Sequence, residues 1–217
     1  MNVNTDFTQR VVIRPADTPW VASPLPGVER KMLERAGLEK ARATSIVRYA
    51  PGASFSEHKH DGGEEYLVLE GEFADENGRY PPGTYVRNPP GSQHAPFSKS
   101  GCTIMVKLQQ FNAGDTKACV IDTKNAEWRQ GLVPGLSVLS LHAHDTEQVA
   151  LVRWAPSTYF NAHTHWGGEE IYVVEGTFSD EYGDYPQGTW LRSPHLSVHT
   201  PFSQQGCMIY VKTGHLG

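Results

Sequence analysis

Residues 48–107 read RYAPGASFSEHKHDGGEEYLVLEGEFADENGRYPPGTYVRNPPGSQHAPFSKSGCTIMVK, and residues 153–212 read RWAPSTYFNAHTHWGGEEIYVVEGTFSDEYGDYPQGTWLRSPHLSVHTPFSQQGCMIYVK. The two segments align without a gap over 60 positions at a constant offset of 105 residues. A repeat of this length indicates that one structural unit occurs twice in tandem.

The repeat also extends upstream, because Trp20 and Trp128 match at an offset of 108 residues. The two copies therefore differ by three residues before position 48, and each copy spans about a hundred residues. The chain has 217 residues, which is enough for two small domains with cores of their own. A polar stretch separates the copies, so we expect an N-terminal domain at 1–111 and a C-terminal domain at 112–217.

The composition of the repeat predicts strands rather than helices. Segments such as EYLVLEGEF at 65–73 and CTIMVKL at 102–108 are short, rich in β-branched and aromatic residues, and bounded by turn residues. The segment 27–42, GVERKMLERAGLEKAR, has helical composition, but its counterpart at 135–150, GLSVLSLHAHDTEQVA, resembles a strand. We therefore expect an all-β protein made of two tandem barrels or sandwiches.

Charge and composition restrict the partners. The net charge is −5 and no dense basic run occurs, so we expect no direct contact with nucleic acid. No apolar run approaches the roughly 18 residues that span a bilayer, and the first ten residues are polar, so we expect no membrane association and a cytoplasmic location. The three cysteines form no CxxC pair, which argues against a disulfide framework.

Histidines and acids in matched positions of the two copies predict a metal site in each. In the first copy two histidines lie two residues apart, so a strand sends both imidazoles to one face. Nitrogen and oxygen donors of this kind suit a divalent transition ion, with zinc favoured and iron, manganese or nickel as alternatives. The predicted ligands are His58, His60, Glu64 and His94 in the first copy, and His163, His165, Glu169 and His199 in the second.

Two further pairs of matched residues lie close to the predicted ligands. Glu65 and Glu170 each adjoin a ligand acid, but on an alternating strand they face the other way, which favours an ion-pairing role over that of a general base. Cys102 and Cys207 begin a strand in each copy and are expected to be small buried residues rather than reactive thiols. No residue is assigned as catalytic.

The spacing of the predicted ligands resembles the two motifs of the cupin superfamily. The first copy contains G-x5-H-x-H-x3-E-x6-G starting at Gly52, and G-x5-P-x-G-x2-H starting at Gly83. The second copy keeps the ligands but has Ser157 and Leu196 at two glycine positions. The H-x-H-x-G-G-E-E segment and the H-x-P-F-S-x-x-G-C ending resemble the ChrR-like cupins, a domain of an anti-sigma factor. This resemblance implies two double-stranded β-helix jelly rolls, each binding one metal through the four matched residues.

The resemblance leaves two functions open. One is a regulatory or sensing module that responds to a small molecule and lacks the zinc-binding helical domain with which such anti-sigma factors hold the sigma factor. A sigma factor is therefore not an expected partner. The alternative is a metal-dependent dioxygenase, with iron or zinc, that acts on small diketone or hydroxyketone substrates, as relatives within the cupins do. The resemblance also allows a homodimer formed through sheet edges.

Overall fold

The computed structural model describes residues 1–216 and contains, within them, twenty-four strands and no helix. The first twelve strands are β1 (Asn2–Val3), β2 (Val11–Ile13), β3 (Val21–Ala22), β4 (Val28–Ala36), β5 (Arg42–Tyr49), β6 (His58–His60), β7 (Glu64–Gly71), β8 (Phe73–Asp75), β9 (Gly78–Tyr80), β10 (Thr84–Asn88), β11 (Ser92–His94) and β12 (Cys102–Leu108). The other twelve are β13 (Cys119–Asp122), β14 (Arg129–Gln130), β15 (Leu136–His144), β16 (Glu147–Trp154), β17 (Thr158–Tyr159), β18 (His163–His165), β19 (Glu169–Asp180), β20 (Gly183–Pro186), β21 (Trp190–Ser193), β22 (Ser197–His199), β23 (Phe202–Ser203) and β24 (Cys207–Thr213).

The chain divides into two compact units. Barrel 1 consists of Met1–Thr5 and Thr18–Asn125, and barrel 2 consists of Asp6–Asp17 and the described residues from Ala126 onward. The segment with helical composition, 27–42, forms β4 and β5 as its counterpart predicts. None of residues 1–216 belongs to a helix that is long and apolar enough to cross a membrane.

Barrel 1 is a jelly roll with two layers. Its large layer is an antiparallel sheet in the order β1, β4, β5, β12, β7, β10, β13, with β3 also paired to β4. Its small layer contains the pairs β6 with β11 and β8 with β9. The space between the layers is filled by buried side chains that include Tyr66, Val68, Phe73, Val86, Ile104 and Val106. The first two metal-ligand candidates lie on the small layer, and Glu64 begins β7 of the large layer.

Barrel 2 repeats this plan. Its large sheet has the order β14, β15, β16, β24, β19, β21, β2, and its small layer contains β18 with β22 and β17 with β23, while the β20 hairpin folds against β19. The core contains Trp154, Ile171, Val173, Phe178, Leu191 and Ile209. The predicted all-β architecture with two tandem barrels is confirmed.

In each barrel, the last strand of the large sheet lies outside the sequence copy that forms the rest of that barrel. The strand β2 pairs with β21 of barrel 2, and β13 pairs with β10 of barrel 1. The two strands match in the repeat at the offset of 108, and both have the pattern of an edge strand with apolar residues. The strand that precedes the first copy therefore belongs to barrel 2, and the strand that precedes the second copy belongs to barrel 1. The compact units differ from the predicted halves 1–111 and 112–217 by the segments that contain β2 and β13.

Glycines in the repeat allow the strands to pass each other closely. Gly71 has a φ of 68°, and a Cβ atom there would lie 2.0 Å from the carbonyl oxygen of Gly101. Gly176 has a φ of 72° and the same relation to Gly206, at 2.2 Å. A side chain at either position clashes with backbone and strains φ, which explains why both copies place glycine there.

Candidate metal centres

Barrel 1 brings the four predicted ligands together. His58 and His60 lie two residues apart on β6, so their side chains share one face of the strand. The strand β6 pairs with β11, where His94 is the direct partner of His58. The Nε2 atoms of His60 and His94 lie 3.0 Å apart, and ligand atoms of the three histidines all lie within 4.8 Å of one another. The Oε2 atom of Glu64 lies 3.5 Å from Nε2 of both His60 and His94. The three histidines can hold a metal ion.

Hydrogen bonds to the Nδ1 atoms of two imidazoles orient these rings so that their Nε2 lone pairs face the centre of the cluster. Nδ1 of His58 lies 2.9 Å from the carbonyl oxygen of Ser56, and Nδ1 of His94 lies 3.0 Å from Oδ2 of Asp75. Because both partners only accept, each Nδ1 carries the proton and each Nε2 is left as an acceptor. Two of the three imidazoles thus present an Nε2 acceptor beside the Glu64 carboxylate, which is an arrangement that can hold a cation.

The distances between these atoms fit a transition-metal shell. Two ligands about 2.1 Å from one metal lie about 3.0 Å apart at a right angle and about 3.4 Å apart at a tetrahedral angle. The separations of 3.0 Å between His60 and His94 and 3.5 Å between His60 and Glu64 fall at these values. The donor set of imidazoles and a carboxylate, without thiolate, suits zinc, iron, manganese or nickel.

Asp75 was not among the residues predicted from the sequence. Its Oδ2 atom faces His94, while its Oδ1 atom accepts hydrogen bonds from the backbone N–H of Asn77 and the hydroxyl of Tyr80. A carboxylate behind a ligating imidazole fixes the tautomer and raises the basicity of the ligand. The available signal was the repeated segment F-x-D-E-x-G-x-Y-P, in which this aspartate and its match Asp180 occupy the same place.

Barrel 2 repeats the centre with small changes. The Nε2 atoms of His165 and His199 lie 2.9 Å apart, and Oε2 of Glu169 lies 3.5 Å from His165 and 3.7 Å from His199. His163 is oriented by the carbonyl oxygen of Asn161, 2.9 Å from its Nδ1. The four residues predicted from the second copy are therefore gathered as in the first.

The carboxylate behind the centre is held differently in barrel 2. Asp180 pairs with Arg10 at 2.8 Å and accepts a hydrogen bond from Tyr185 at 2.7 Å, whereas its distance to Nδ1 of His199 is 3.5 Å. The position that matches Arg10 in the repeat is Ala118, so Asp75 has no such cation. Arg10 competes with His199 for Asp180, and the imidazole in barrel 2 is held more loosely than in barrel 1.

Burial and neighbouring charges shift the pKa values of the histidines of each centre in different directions. Burial lowers the pKa of His60, and it lowers the pKa of His165 to about 3. Burial is the largest single effect on His94 and His199 and acts in the same direction, but the hydrogen bonds to Asp75 and Asp180 together with the charges of the surrounding carboxylates outweigh it and raise both pKa values. Burial also raises the pKa of Glu169 to about 7. Within each centre one imidazole therefore favours its neutral form and another its charged form, and a bound cation would relieve the buried carboxylate.

The second acids and the cysteines have the structural roles that the sequence favours. Glu65 accepts hydrogen bonds from Tyr85 and Arg87, and Glu170 accepts from the indole of Trp190, so both face away from the centres. Cys102 and Cys207 are buried, and burial raises the pKa of both thiols, that of Cys207 to about 11. The interpretation of these residues as ion-pairing acids and small buried side chains is confirmed.

A cavity adjoins each centre, and the two cavities differ in size and charge. The cavity of barrel 1 has a volume of about 380 Å³ and is bounded by His58, His60 and Glu64. The corresponding cavity of barrel 2, bordered by His163, Glu169 and His199, has a volume of about 160 Å³ and no lysine or arginine in its lining. A further cavity of about 250 Å³ in barrel 2 is lined by Arg10 and His199. Small-molecule sites in proteins have volumes from about 300 Å³ upward, so barrel 1 has room for a ligand beside its centre.

Two jelly rolls in tandem, each with three imidazoles and a carboxylate gathered beside the small layer, define a bicupin. The chain belongs to the family of the ChrR cupin-like domain, whose model matches residues 8–112 and again residues 116–217. The resemblance stated from the sequence is therefore confirmed over both copies. No protein with a curated functional description matches the chain in sequence.

Solved structures share the fold at low sequence identity. A candidate dioxygenase from Nostoc punctiforme is 14% identical with a TM-score of 0.80, over 96% of this chain and 84% of that chain. A mutant of oxalate decarboxylase from Bacillus subtilis is 13% identical with a TM-score of 0.67, over 95% and 77%. The bacterial pirin YhhW from Escherichia coli, in complex with nickel(II), is 14% identical with a TM-score of 0.68, over 94% and 98%. At these identities the similarity shows the fold alone.

Proposed function

We propose that this protein is a metal-binding bicupin that responds to a small molecule, and that the molecule binds beside the metal of barrel 1. Each barrel holds one divalent ion, with zinc favoured by the imidazole and carboxylate donors. The observation that carries the proposal is the cavity of about 380 Å³ whose wall includes His58, His60 and Glu64. A ligand in this cavity lies against the metal shell without rearrangement of the barrel.

The lining of this cavity favours binding over acid–base chemistry. The carboxylates in it are those of Glu64, which faces the metal site, and Glu39, whose two oxygens both lie 2.8 Å from nitrogens of Arg30. A general base needs a group free to accept a proton from the substrate. Neither carboxylate is free in this sense, which supports a sensing role in which binding, rather than turnover, is the event.

The second candidate is a metal-dependent dioxygenase for small diketones or hydroxyketones. The open coordination positions favour it, because three imidazoles and one carboxylate occupy four of the six positions of an octahedron. A bound iron would supply oxygen activation and would polarise a chelating substrate. In that case His58, His60, Glu64 and His94 hold the ion, and the cavity orients the substrate and excludes water. The reaction does not depend on a separate acid–base pair.

Metal content tests the shared part of both candidates. Elemental mass spectrometry on protein purified without added metal is expected to give about two ions per chain. His60→Ala and His165→Ala are each expected to give about one, because each removes a ligand from one barrel. His144→Ala is the control, since His144 lies outside both centres, and it is expected to retain two. Two ions in either ligand variant, or none in the wild type after reconstitution, would contradict the proposal.

Oxygen consumption separates the two candidates. The protein is reconstituted with Fe(II) under anaerobic conditions and then exposed to oxygen with heptane-2,4-dione as a simple diketone. Bound metal without substrate-dependent oxygen uptake supports the sensing module. Uptake that requires both the diketone and an intact His60 supports the dioxygenase instead.

A further inference from the structure

The wall of the barrel 1 cavity carries positive charge that the corresponding cavity of barrel 2 does not have. Four basic side chains line it, against the carboxylates of Glu39 and Glu64. These side chains are Arg30, Arg35, Lys40 and Lys59. In barrel 2 the residue paired in register like Arg30 is Val138, and the one paired like Arg35 is Ala143. The two cavities therefore present different chemistry beside the same kind of metal shell.

Arg35 is a buried cation near Glu39 whose hydrogen-bonding capacity is only partly used. It is 4% exposed, and its Nη1 atom donates to the carbonyl oxygen of Leu38 at 2.5 Å. Its Nε atom is buried and has no hydrogen-bond partner. The nearby Glu39 forms a two-pronged pair with Arg30, which leaves Arg35 without a carboxylate of its own among the described residues. Burial, with repulsion from Arg30, lowers the pKa of Arg35.

A buried guanidinium with a free donor is costly unless an anion completes it. The rest of the wall includes the apolar side chains of Val28, Val47, Phe55, Ile104, Val106 and Leu108. A buried guanidinium next to this apolar part of the wall suits a carboxylate on a short apolar body. The metal ligands and Arg35 border the same cavity, so one small molecule can meet both.

Three extra residues in the first copy shape this end of the cavity. The connection from β4 to β5 is Gly37–Ala41, and the equivalent connection from β15 to β16 is Asp145–Thr146. This difference accounts for the change of repeat offset from 108 to 105. The longer connection supplies Glu39 and Lys40 to the cavity wall.

We propose that barrel 1 selects a small organic carboxylate, which pairs with Arg35 through its carboxylate while its other end faces the metal centre. This inference rests on the proposed function for the bound metal, whereas the pairing of the carboxylate with Arg35 is independent of it. Glu39 holds Arg30 away from the ligand and so limits the affinity of the site. Barrel 2, with Val138 and Ala143 in the matching positions and a smaller cavity, has no such selectivity.

Calorimetric titration with two matched probes tests the proposal on the metal-loaded full-length protein. The probes are 4,6-dioxoheptanoate and heptane-2,4-dione, which share a diketone end and differ in the carboxylate. The carboxylate probe is expected to bind about tenfold more tightly or better, as a charge-assisted buried hydrogen bond allows. Arg35→Met is expected to abolish this preference, Arg35→Lys to keep most of it, and Glu39→Gln to increase it.

Variants of the metal ligands separate this inference from the proposed function. In His60→Ala the affinity for both probes is expected to fall, while the preference for the carboxylate remains because Arg35 is intact. In His165→Ala neither affinity is expected to change. Equal affinity of the two probes for the wild type, or a preference that survives Arg35→Met, would overturn the inference whatever the metal content. Thermal unfolding of each variant verifies that it is folded, and Arg35→Gln, which is also expected to abolish the preference, replaces Arg35→Met if that variant does not fold.

Discussion

The substitution Asp75→Asn tests how the second layer of hydrogen bonds prepares the metal centre of barrel 1. In the wild type, Oδ2 of Asp75 lies 3.0 Å from Nδ1 of His94 and fixes the proton there. Asparagine keeps one oxygen to accept from the N–H of Asn77 but places an amide NH₂ against His94. Two donors then face each other, and the imidazole relieves the conflict by moving its proton to Nε2, where it blocks the metal.

The size of the effect follows from the hydrogen-bond distances. Loss of the partner behind a metal-ligating histidine typically lowers metal affinity by about 10- to 100-fold, or about 1.4 to 2.7 kcal/mol. For Asp75→Asn we expect the upper end of this range, because the bond to His94 is short and has no competitor. For Asp180→Asn we expect about tenfold or less, because the distance to His199 is 3.5 Å and Asp180 is shared with Arg10.

Competition with a chromogenic chelator measures the affinity of each centre, with the other centre emptied by His165→Ala or His60→Ala. The control is Asp122→Asn, since Asp122 is an exposed aspartate that caps a turn by accepting from the N–H of Lys124. It is expected to leave both affinities unchanged. Unchanged affinity in Asp75→Asn, or a larger loss in Asp180→Asn, would refute the reasoning that the imidazole tautomer controls metal binding.

Three further results are expected. Tyr66→Phe should raise the free energy of unfolding by about 1 kcal/mol in a chemical denaturation of the ligand-free protein, because the Tyr66 hydroxyl is buried without a partner; a loss of stability would show that the hydroxyl has a partner. Cys102 and Cys207 should resist alkylation at pH 8 in native protein and react in denaturant, as followed by mass spectrometry, because burial raises both thiol pKa values; rapid native labelling would contradict their burial. In metal-free protein the pKa of His165 is about 3, below its ordinary 6.5. Its contribution to stability should therefore be full above pH 6.5 and fall as the pH drops toward 3, and the denaturation midpoint of His165→Gln should vary less with pH over this range; an unchanged pH dependence would contradict the lowered pKa.

Most of the fold and the four residues gathered at each centre follow from the sequence. The repeat places two copies of one unit in tandem, and the spacing of His58, His60 and Glu64 puts three donors on facing strands. The predicted fold is confirmed because it depends on local order, namely the alternation of side chains along a strand and the turn that follows. The assignment of these residues as metal ligands rests on the same alternation and stays a prediction.

The residues that the sequence did not reveal depend on longer-range geometry. Asp75 reaches His94 from a hairpin 19 residues earlier, and the repeat of its segment in both copies does not show which side chain it contacts. The strands β2 and β13 have similar apolar patterns, so the sequence does not show which of the two large sheets each strand joins at its edge. Alternation along a strand predicts on which face of the sheet a residue lies, but it does not predict which of two similar sheet edges the strand pairs with.

The two barrels show which part of the unit fixes the metal and which part fixes the ligand. The imidazole separations of 3.0 Å and 2.9 Å are nearly the same because β6, β11 and their counterparts β18 and β22 repeat without a gap. The cavity walls differ because they lie on β4 and β15 and on the connections after them, where the copies differ by three residues. Variation there alters the cavity without moving a metal ligand. If this separation is correct, replacing Gly37–Ala41 of barrel 1 with the Asp145–Thr146 connection should leave metal content at two ions while raising the affinity for 4,6-dioxoheptanoate, because Glu39 no longer holds Arg30 away from the ligand. Loss of metal from barrel 1 in that variant would show instead that wall and shell are one cooperative unit.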